Sequence, residues 1–490
     1  MDVGGIDVNQ AERKRLKNEW LDEATIAQMQ EKMASNELTS EDLVFMYLEL
    51  ISERNPNVNA VLEVNPKAIQ IAQALDDERH EKGPRSMLHG IPVLIKDNID
   101  TADDLHTSAG SLSLADHYAM EDATIVKKLR DAGAVILGKT NMTEWANFMS
   151  DRMTNGYSSR GGQVKNPYGP FDVGGSSSGS AAAIASNLAA AAIGTETSGS
   201  ILNPAAQNGL VGLKPTVGAT SRTGIIPLSH TQDTAGPMTR TVEDAVHLFV
   251  QIIGPDDKDP ATRKSRRFSE VDWVECFDLE ALRGKRIGIA RSIFEREVSS
   301  ERAELFDKQL AILHAMGAEI VDFVDIACME DDLGFAVLTH EFKADLNSYL
   351  GKTHLANPIR SLKDVIDFNK QHPDETLKYG QVLLEKSDRT SGTLTEKEYF
   401  TALERNRYMA GEIGLGKSLD NLQLDALVFP QDHGCSIGAA AGYPSITVPA
   451  DFTHAGEPFG ITFSGRAWSE PLLISMAYAF EQKVKARKKP

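Results

Sequence analysis

Two clusters of serine residues flank a long, nearly uncharged, alanine-rich run. Ser176, Ser177 and Ser178 form the first cluster, and Ser198 and Ser200 belong to the second. Glycines lie among both clusters, and glycine permits positive φ and the close approach of other groups. Successive backbone N–H groups in such turns can converge on an anion, and a serine beside them combines a potential nucleophile with oxyanion donors. The pattern favours catalysis by a serine over a flexible Gly/Ser linker, which would be polar throughout.

Lys96 is a second candidate for chemistry because of where it stands. It follows the apolar run 89–95, which is typical of a buried strand. Lysine is almost never fully buried without a partner. Either the fold turns this side chain inward, where burial lowers its pKa, or the lysine ends the strand and faces solvent.

The whole stretch 173–204 closely resembles the signature of the amidase signature family. The match continues through Gly-Leu-Val-Gly-Leu-Lys-Pro-Thr at 209–216 and Gln-Asp-Thr-Ala-Gly-Pro at 232–237. A further matching block lies upstream, Gly-Ile-Pro-Val-Leu-Ile-Lys-Asp at 90–97. Blocks that match in the same order are far more specific than any one block alone.

The resemblance implies a Ser–cis-Ser–Lys triad. Ser200 matches the nucleophile, Ser176 the bridging serine and Lys96 the base, and the two serines are 24 residues apart (200 − 176), as in the family. It also implies a cis peptide between Gly175 and Ser176. To act as a base, Lys96 must lose its proton, so its pKa must fall from about 10.4 to roughly 7–8. Ser176 can then relay the proton, because a hydroxyl both donates and accepts.

The resemblance also places an oxyanion hole on the backbone N–H groups of Thr197, Ser198, Gly199 and Ser200. Many family members have glycine at the position of Ser198, and serine keeps the backbone donor. Ser177 and Ser178 are expected to support the site through hydrogen bonds. The motif carries no metal and no cofactor.

The expected activity is hydrolysis of carboxylic or peptide amides to an acid plus ammonia or an amine, through an acyl-enzyme on Ser200. The alternative is the A subunit of a tRNA-dependent amidotransferase, which releases ammonia from glutamine. Such subunits usually have arginine where this chain has Leu202. Leu202 and the segments 160–163 and 362–381 make the chain more similar to peptide amidases and broad-specificity bacterial amidases than to amidotransferase A subunits.

Two further interpretations compete with the triad. Residues 175–179 also fit the Gly-x-Ser-x-Gly elbow of α/β-hydrolases, with Ser177 as nucleophile and a histidine such as His433 as partner. The elbow requires a strand immediately before it, and the prolines and glycine of 167–170 argue against one. A scaffold that kept the fold without catalysis is the other possibility, and the intact triad residues argue against it.

The elements that must position these residues follow one another in the order strand, helix, strand. Strand 89–95, helix 121–132 and strand 134–137 make one βαβ pattern, and 285–290, 300–316 and 319–323 make another. Residues 39–51 predict a capped amphipathic helix that ends at Asn55-Pro56. We therefore predict an α/β fold, and the resemblance implies a mixed twisted sheet covered by helices on both faces. We predict one domain over 1–490, with an N-terminal helical arm at about 1–60 and the signature core at about 85–240.

Composition limits the partners. The chain has 490 residues and a formal charge of −19, from 51 basic and 70 acidic residues, which argues against nucleic acid and anionic membranes as partners. The cysteines, Cys276, Cys328 and Cys435, lack metal-ligand spacing. Residues 1–20 show no secretory signal, and the apolar run 181–193 is too short to span a bilayer. We expect a cytoplasmic monomer or homodimer that acts on a small-molecule or peptide amide.

Overall fold

The structure is a computed structural model that describes residues 4–295, 297–326, 333 and 335–490. Cys328, considered above, lies outside the described residues. Within them, eleven strands form one sheet in the order β1-β3-β2-β6-β8-β7-β12-β13-β11-β9-β10, and β4 and β5 form a separate pair. The strands are β1 Val61–Val64, β2 Pro92–Lys96, β3 Val135–Thr140, β4 Tyr157–Ser158, β5 Gly162–Gln163, β6 Ala191–Glu196, β7 Val211–Lys214, β8 Thr234–Thr239, β9 Arg286–Gly288, β10 Glu319–Val321, β11 Ala426–Pro430, β12 Ser445–Phe452 and β13 Pro458–Ser464.

Helices connect and cover these strands. The α-helices are α1 Gly4–Leu16, α2 Ile26–Ala34, α3 Ser40–Val58, α4 Ala68–Lys82, α5 Thr124–Asp131, α6 Glu144–Asn147, α7 Ser178–Ala185, α8 Leu202–Gln207, α9 Val242–Ile252, α10 Ser300–Ala315, α11 Phe335–Leu350, α12 Leu362–Gln371, α13 Pro373–Thr376, α14 Val382–Asp388, α15 Lys397–Asn406, α16 Lys417–Asn421, α17 Cys435–Ala441 and α18 Glu470–Val484. The 3₁₀ segments are Leu112–Leu114, Pro260–Glu270, Trp273–Cys276 and Arg291–Ile293, and the π segments are Lys17–Leu21 and Arg407–Gly416. Across the described ranges, none of the helices combines the length and the apolar character needed to cross a membrane.

The sheet is mixed, and parallel pairs lie towards both of its ends. Strand β2 runs parallel to β3 and to β6, and β9 runs parallel to β10 and β11. Between these groups the pairs from β6 through β8, β7, β12 and β13 to β11 are antiparallel. Both predicted βαβ units are present, as β2-α5-β3 and β9-α10-β10, and the predicted α/β fold with a mixed sheet is confirmed.

Helix α3 shows where local signals hold and where they fail. The predicted cap forms, and it is a full capping box, since Thr39 accepts from the N–H of Asp42 and the Asp42 side chain accepts from the N–H of Thr39. The predicted end at Asn55-Pro56 is wrong, because α3 continues to Val58 with Pro56 inside it. The end is stabilised instead by the Asn55 side chain, whose Oδ1 accepts from the N–H groups of residues 60 and 61 at 2.8 Å each.

Helix α7 is buried on every side. All eight of its residues are buried, because alanine, glycine and serine let neighbouring backbones come close. At Gly179 an added Cβ would lie 2.2 Å from the carbonyl oxygen of Asn141, so a larger residue would force α7 away from the sheet. The helix packs against β2, β6 and β8 and carries the first serine cluster at its N-terminal end.

Candidate active site

The site forms where β2 and β6 end side by side. These strands are parallel, with Ile95 paired to Ile193, so the side chains at their carboxyl ends meet at one edge. Lys96 is the last residue of β2, and Thr195 lies near the end of β6. The turn before α7 brings Ser176 and Ser177 over this edge. The sheet therefore places residues 80 or more positions apart in contact.

The Lys96 side chain is fully buried and surrounded by oxygen atoms. Its Nζ lies 2.9 Å from Ser176 Oγ, 2.9 Å from Ser177 Oγ, 2.9 Å from Thr195 Oγ1 and 3.1 Å from the Thr195 carbonyl oxygen. Burial lowers the pKa of Lys96 to about 7, against the opposing charges of Glu196 and Asp233. The solvent-facing alternative for Lys96 is therefore wrong, because the fold turns this side chain inward.

Counting donors and acceptors indicates where a proton can move. A neutral lysine amine has two N–H donors and one lone pair. The Ser177 hydroxyl donates to the Thr195 carbonyl oxygen at 3.0 Å, so Ser177 Oγ can only accept from Lys96. Within the described residues, the Ser176 hydroxyl is hydrogen-bonded to Lys96 alone. The hydroxyls of Ser176 and Thr195 are thus the two that could donate a proton to the lone pair of Lys96, and of these Ser176 belongs to the first serine cluster.

The turn that carries Ser176 contains the expected cis peptide between Gly175 and Ser176. The Gly175 N–H donates to Asn203 Oδ1 at 3.0 Å, and the Ser178 hydroxyl donates to the Gly174 carbonyl at 2.6 Å. A Cβ at Gly175 would lie 2.7 Å from both Thr143 Oγ1 and Asn155 Oδ1. The turn leaves no room for a side chain at Gly175, and Ser178 holds it by its hydroxyl.

Ser200 lies in the second cluster and is 6 % exposed. Its carbonyl oxygen accepts from the N–H of Ser177 at 3.1 Å, which joins the two clusters directly. Among the residues that the structure describes, no hydrogen bond links the hydroxyls of Ser176 and Ser200. The last step of the expected relay therefore remains a prediction.

Glu196 organises the turn around Ser200, and the sequence analysis missed it. Its Oε1 accepts from the N–H of Gly199 at 2.8 Å, and its Oε2 accepts from the N–H groups of Ile201 at 2.8 Å and Leu202 at 3.0 Å. The side chain is fully buried, which raises its pKa, while Lys214 and the three N–H donors act in the opposite direction. One signal was available, since Glu196 is the single charged residue in the stretch 173–204.

The predicted oxyanion donors are therefore not equivalent. The Gly199 N–H is already held by Glu196, which leaves the N–H groups of Thr197, Ser198 and Ser200 as the remaining predicted donors. Gly199 has φ of +79°, a conformation that suits glycine. Ser198 is exposed whereas Thr197 and Ser200 are buried, so this turn reaches solvent at Ser198.

Thr197 is fixed by the block at 232–237. Its hydroxyl donates to Asp233 Oδ1 at 2.6 Å, and its carbonyl oxygen accepts from Gln232 Nε2 at 3.3 Å. Asp233 also accepts from the N–H groups of Leu228 and Ser229, each at 2.8 Å. Burial raises the pKa of Asp233 to about 6. This carboxyl group thus anchors one end of the turn that carries Ser200.

A cavity of about 820 Å³ opens beside this machinery. Thr195 and Thr197 line it, together with Asn98, Asp100 and Tyr349. Its volume lies within the range of small-molecule sites. Of the loop at 141–171, only Ala146 lines this cavity.

The nucleophile-elbow alternative is wrong. The Ser177 hydroxyl is hydrogen-bonded to Thr195 and Lys96, not to a histidine. His433 lies instead 3.5 Å from Glu297 Oε2 through its Nδ1. The nearest preceding strand is β5, which ends at Gln163, so the strand that an elbow needs is missing.

One group of side chains has the composition of a metal site. His230, Glu341 and Asp345 place potential ligand atoms within 4.8 Å of one another. The buried Glu341 carboxylate already accepts from Ser229 Oγ at 2.5 Å and from the Tyr399 hydroxyl at 2.8 Å. These hydrogen bonds explain why the three side chains lie together, so their grouping does not require a metal ion.

Comparison with known proteins shows which sequences and folds this chain is similar to. Residues 42–433 match the family model described as Amidase. A probable amidase of Arabidopsis thaliana is 41% identical over 99% of this chain and 95% of its own length. The solved structure of a native peptide amidase from Stenotrophomonas maltophilia has a TM-score of 0.89 and 44% identity, and covers 96% of this chain and 98% of that one. The A subunit of a glutamyl-tRNA(Gln) amidotransferase from Thermoanaerobacter pseudethanolicus is 30% identical over 95% of this chain and 97% of its own length.

Proposed function

Since the chain belongs to the amidase family and is a hydrolase acting on amide C–N bonds, we propose a specific reaction for it. It cleaves carboxylic or peptide amides through an acyl-enzyme on Ser200. Lys96 is the base and Ser176 is the relay between them. The observation that carries the proposal is the 2.9 Å contact between Lys96 Nζ and Ser176 Oγ in a fully buried setting. A pKa near 7 leaves a large share of Lys96 neutral around neutral pH.

In the acylation step Lys96 takes the proton of Ser176 while Ser176 takes the proton of Ser200. The Ser200 oxygen then forms a bond to the amide carbon, and the carbonyl oxygen becomes an oxyanion. When the C–N bond breaks, the proton returns from Lys96 through Ser176 to the nitrogen, which leaves as ammonia or an amine.

In the deacylation step a water molecule attacks the ester carbon and gives its proton to Lys96 along the same route. The bond between that carbon and Ser200 breaks, the acid leaves, and the proton passes back to Ser200. Oxyanion stabilisation in both steps comes from the N–H groups of Thr197, Ser198 and Ser200. Removing one such donor typically costs about 2.7–4 kcal/mol of barrier.

The second candidate is a glutamine-hydrolysing A subunit of a tRNA-dependent amidotransferase, which the 30% identity to such a protein supports. The higher identity to a peptide amidase and Leu202 in place of arginine favour the first. The test is ammonia release by the purified chain alone, without ATP or partner proteins, from peptide, aryl and aliphatic amides and from glutamine. We expect turnover of peptide or other carboxylic amides. Activity on glutamine only, or activity that needs ATP and partners, would favour the amidotransferase.

The Glu196→Gln variant is expected to lower kcat by between about tenfold and a thousandfold, with less change in KM. Glutamine has one acceptor oxygen in place of two, so an N–H of Gly199, Ile201 or Leu202 would face an NH₂ group. Steady-state kinetics on one good amide measures the effect. The matched control is Glu470→Gln, because Glu470 is equally buried and accepts from the N–H of Thr216 at 2.7 Å. Equal losses in both variants would show that Glu196 has no special relation to the site.

A further inference from the structure

The 820 Å³ cavity beside the site has an acidic lining. Six carboxylates line it, against three lysine or arginine side chains. The bases are Arg222, Lys258 and Lys352, and the acids are Asp100, Glu121, Asp122, Asp233, Asp259 and Asp345. An excess of one sign of charge in a cleft raises the local concentration of ligands of the other sign. A cationic ligand is therefore the first one to consider.

Five of the six acids have a charged partner or several hydrogen-bond donors within the protein. Asp122 accepts from Arg130 at 3.0 Å, Glu121 from Lys258 at 2.8 Å, Asp259 from Arg222 at 2.8 Å and Asp345 from the N–H of His230 at 2.9 Å, while Asp233 accepts from Thr197 and two N–H groups. These five side chains line the cavity, but their partners lie within the protein, so none of them requires a bound cation as a partner.

Asp100 is different. It is 8 % exposed, and within the described part of the chain no ion pair reaches it. Its Oδ1 accepts from the Tyr349 hydroxyl at 2.7 Å, and that hydroxyl lies 3.3 Å from His117 Nε2. Burial lowers the pKa of His117 to about 4, so this histidine is neutral near pH 7. Burial also raises the pKa of Asp100 to about 7 against the nearby charge of Lys139, as expected for a carboxylate without a counterion in contact.

Asn98 supplies an independent observation in the same cavity. It is 3 % exposed, and its Nδ2 donates to Thr195 Oγ1 at 3.0 Å, the same oxygen that Lys96 contacts. Its Oδ1 is buried without a hydrogen-bond partner among the described residues. Buried acceptors are nearly always paired, so this atom lacks a donor that a ligand could supply. Asn98 and Asp100 are two positions apart after β2, and both line the cavity.

We propose that Asn98 and Asp100 form a subsite for a primary ammonium group in the acyl portion of the substrate, so that the preferred substrates are amides that carry a protonated amine. An ammonium has three N–H donors and no acceptor, which matches the carboxylate of Asp100 and the unpaired oxygen of Asn98. The inference deepens the proposed function and rests on it, because it names the substrate class of the same site.

The test compares cationic amides with uncharged amides of the same shape. The pairs are 4-aminobutanamide with pentanamide and 6-aminohexanamide with heptanamide, at pH 8. Alkyl ammonium groups, with a pKa of about 10.4, remain charged at that pH, and Asp100 is mostly ionised. In the wild-type protein we expect kcat/KM to be at least about tenfold higher for the cationic member of one pair, the factor that corresponds to a 1.4 kcal/mol contact.

The decisive variant is Asp100→Asn, which keeps the shape and removes the charge. We expect the ratio of cationic to neutral kcat/KM to fall to near one. The matched control, Glu121→Gln, removes the same charge from the rim of the cavity, where Glu121 is paired with Lys258, and the ratio should persist. A wild-type ratio near one for both pairs, or an unchanged ratio in Asp100→Asn, would overturn the proposal. The wild-type ratio decides even if Asp100→Asn does not fold.

A calorimetric titration of pentylammonium chloride into the wild-type protein separates this proposal from the proposed function. If no amide is hydrolysed, the proposed function fails, and the titration still tests the subsite. Saturable binding that Asp100→Asn weakens at least about tenfold, while Glu121→Gln keeps it, supports the subsite. Absence of saturable binding to the wild-type protein overturns it. Hydrolysis of amides with no preference for the cationic members would leave the proposed function standing and remove only the subsite.

Discussion

The Ser200→Ala variant is expected to lose amide hydrolysis almost completely, with kcat lower by about 10⁴-fold or more. Alanine leaves no oxygen to form the ester, whereas the backbone donors of the turn remain. The residual rate would then come from binding and from oxyanion stabilisation alone. Ammonia release measures kcat, and acid quenching followed by mass spectrometry measures the acyl group on the peptide that contains Ser200.

The control for that variant is Ser436→Ala. Ser436 is an exposed serine on α17, outside the proposed machinery, and its loss should leave turnover near the wild-type value. If Ser200→Ala kept more than about a hundredth of the wild-type kcat, the nucleophile would have to be another group. An acyl adduct found on a different serine would identify that group.

The Lys96→Ala variant is expected to lower kcat by a similar factor, because no other described base contacts Ser176. The neutral amine is the active form, so protonation on the acid side removes activity. In the wild-type protein kcat/KM should therefore fall about tenfold per pH unit below the pKa of Lys96, about 7, and should level off above it. A pH series of initial rates checks this. In Lys96→Ala the residual activity should lack the acid limb, that is, the fall in kcat/KM at low pH.

His433→Ala is the matched comparison for the base. His433 contacts Glu297 rather than either serine cluster, and its removal should leave both the rate and the acid limb in place. Loss of turnover in His433→Ala together with retention in Lys96→Ala would reverse the assignment. Retention of the acid limb in a still active Lys96→Ala protein would show that another group titrates.

Local patterns predicted the elements that carry the site. The apolar run before Lys96 indicated β2, and the strand–helix–strand rhythm indicated its parallel partner β3. What local patterns could not show is which strand lies on the other side of β2. That neighbour is β6, whose residues pair with β2 across 98 positions of sequence (193 − 95), and it supplies Thr195. The burial of Lys96 depends on this long-range pairing, which no short stretch encodes.

The same limit explains the residues that were missed. Lys139 and Lys214 are fully buried as well, because β3 and β7 both lie inside the sheet rather than at its edges. The residues next to them in sequence are those found beside any lysine near the end of a strand, so they do not indicate burial. Tyr349 reaches Asp100 across 249 positions of sequence, so only the folded chain brings them together. The roles proposed for Ser176 and Ser200 rest on the family resemblance, whereas Glu196 could have been noticed as a charge in an apolar run.

The complete burial of α7 has a consequence for motion. Ser177 and Ser178, at its start, are covered by the same strands that hold the rest of the core, so the helix cannot fray outward without exposing the middle of the sheet. Its amides should then belong to the most slowly exchanging set, which opens only in global unfolding. If the proposed function holds, we expect the exposed turn at Ser198, and not α7, to be the part of the site that moves when substrate binds.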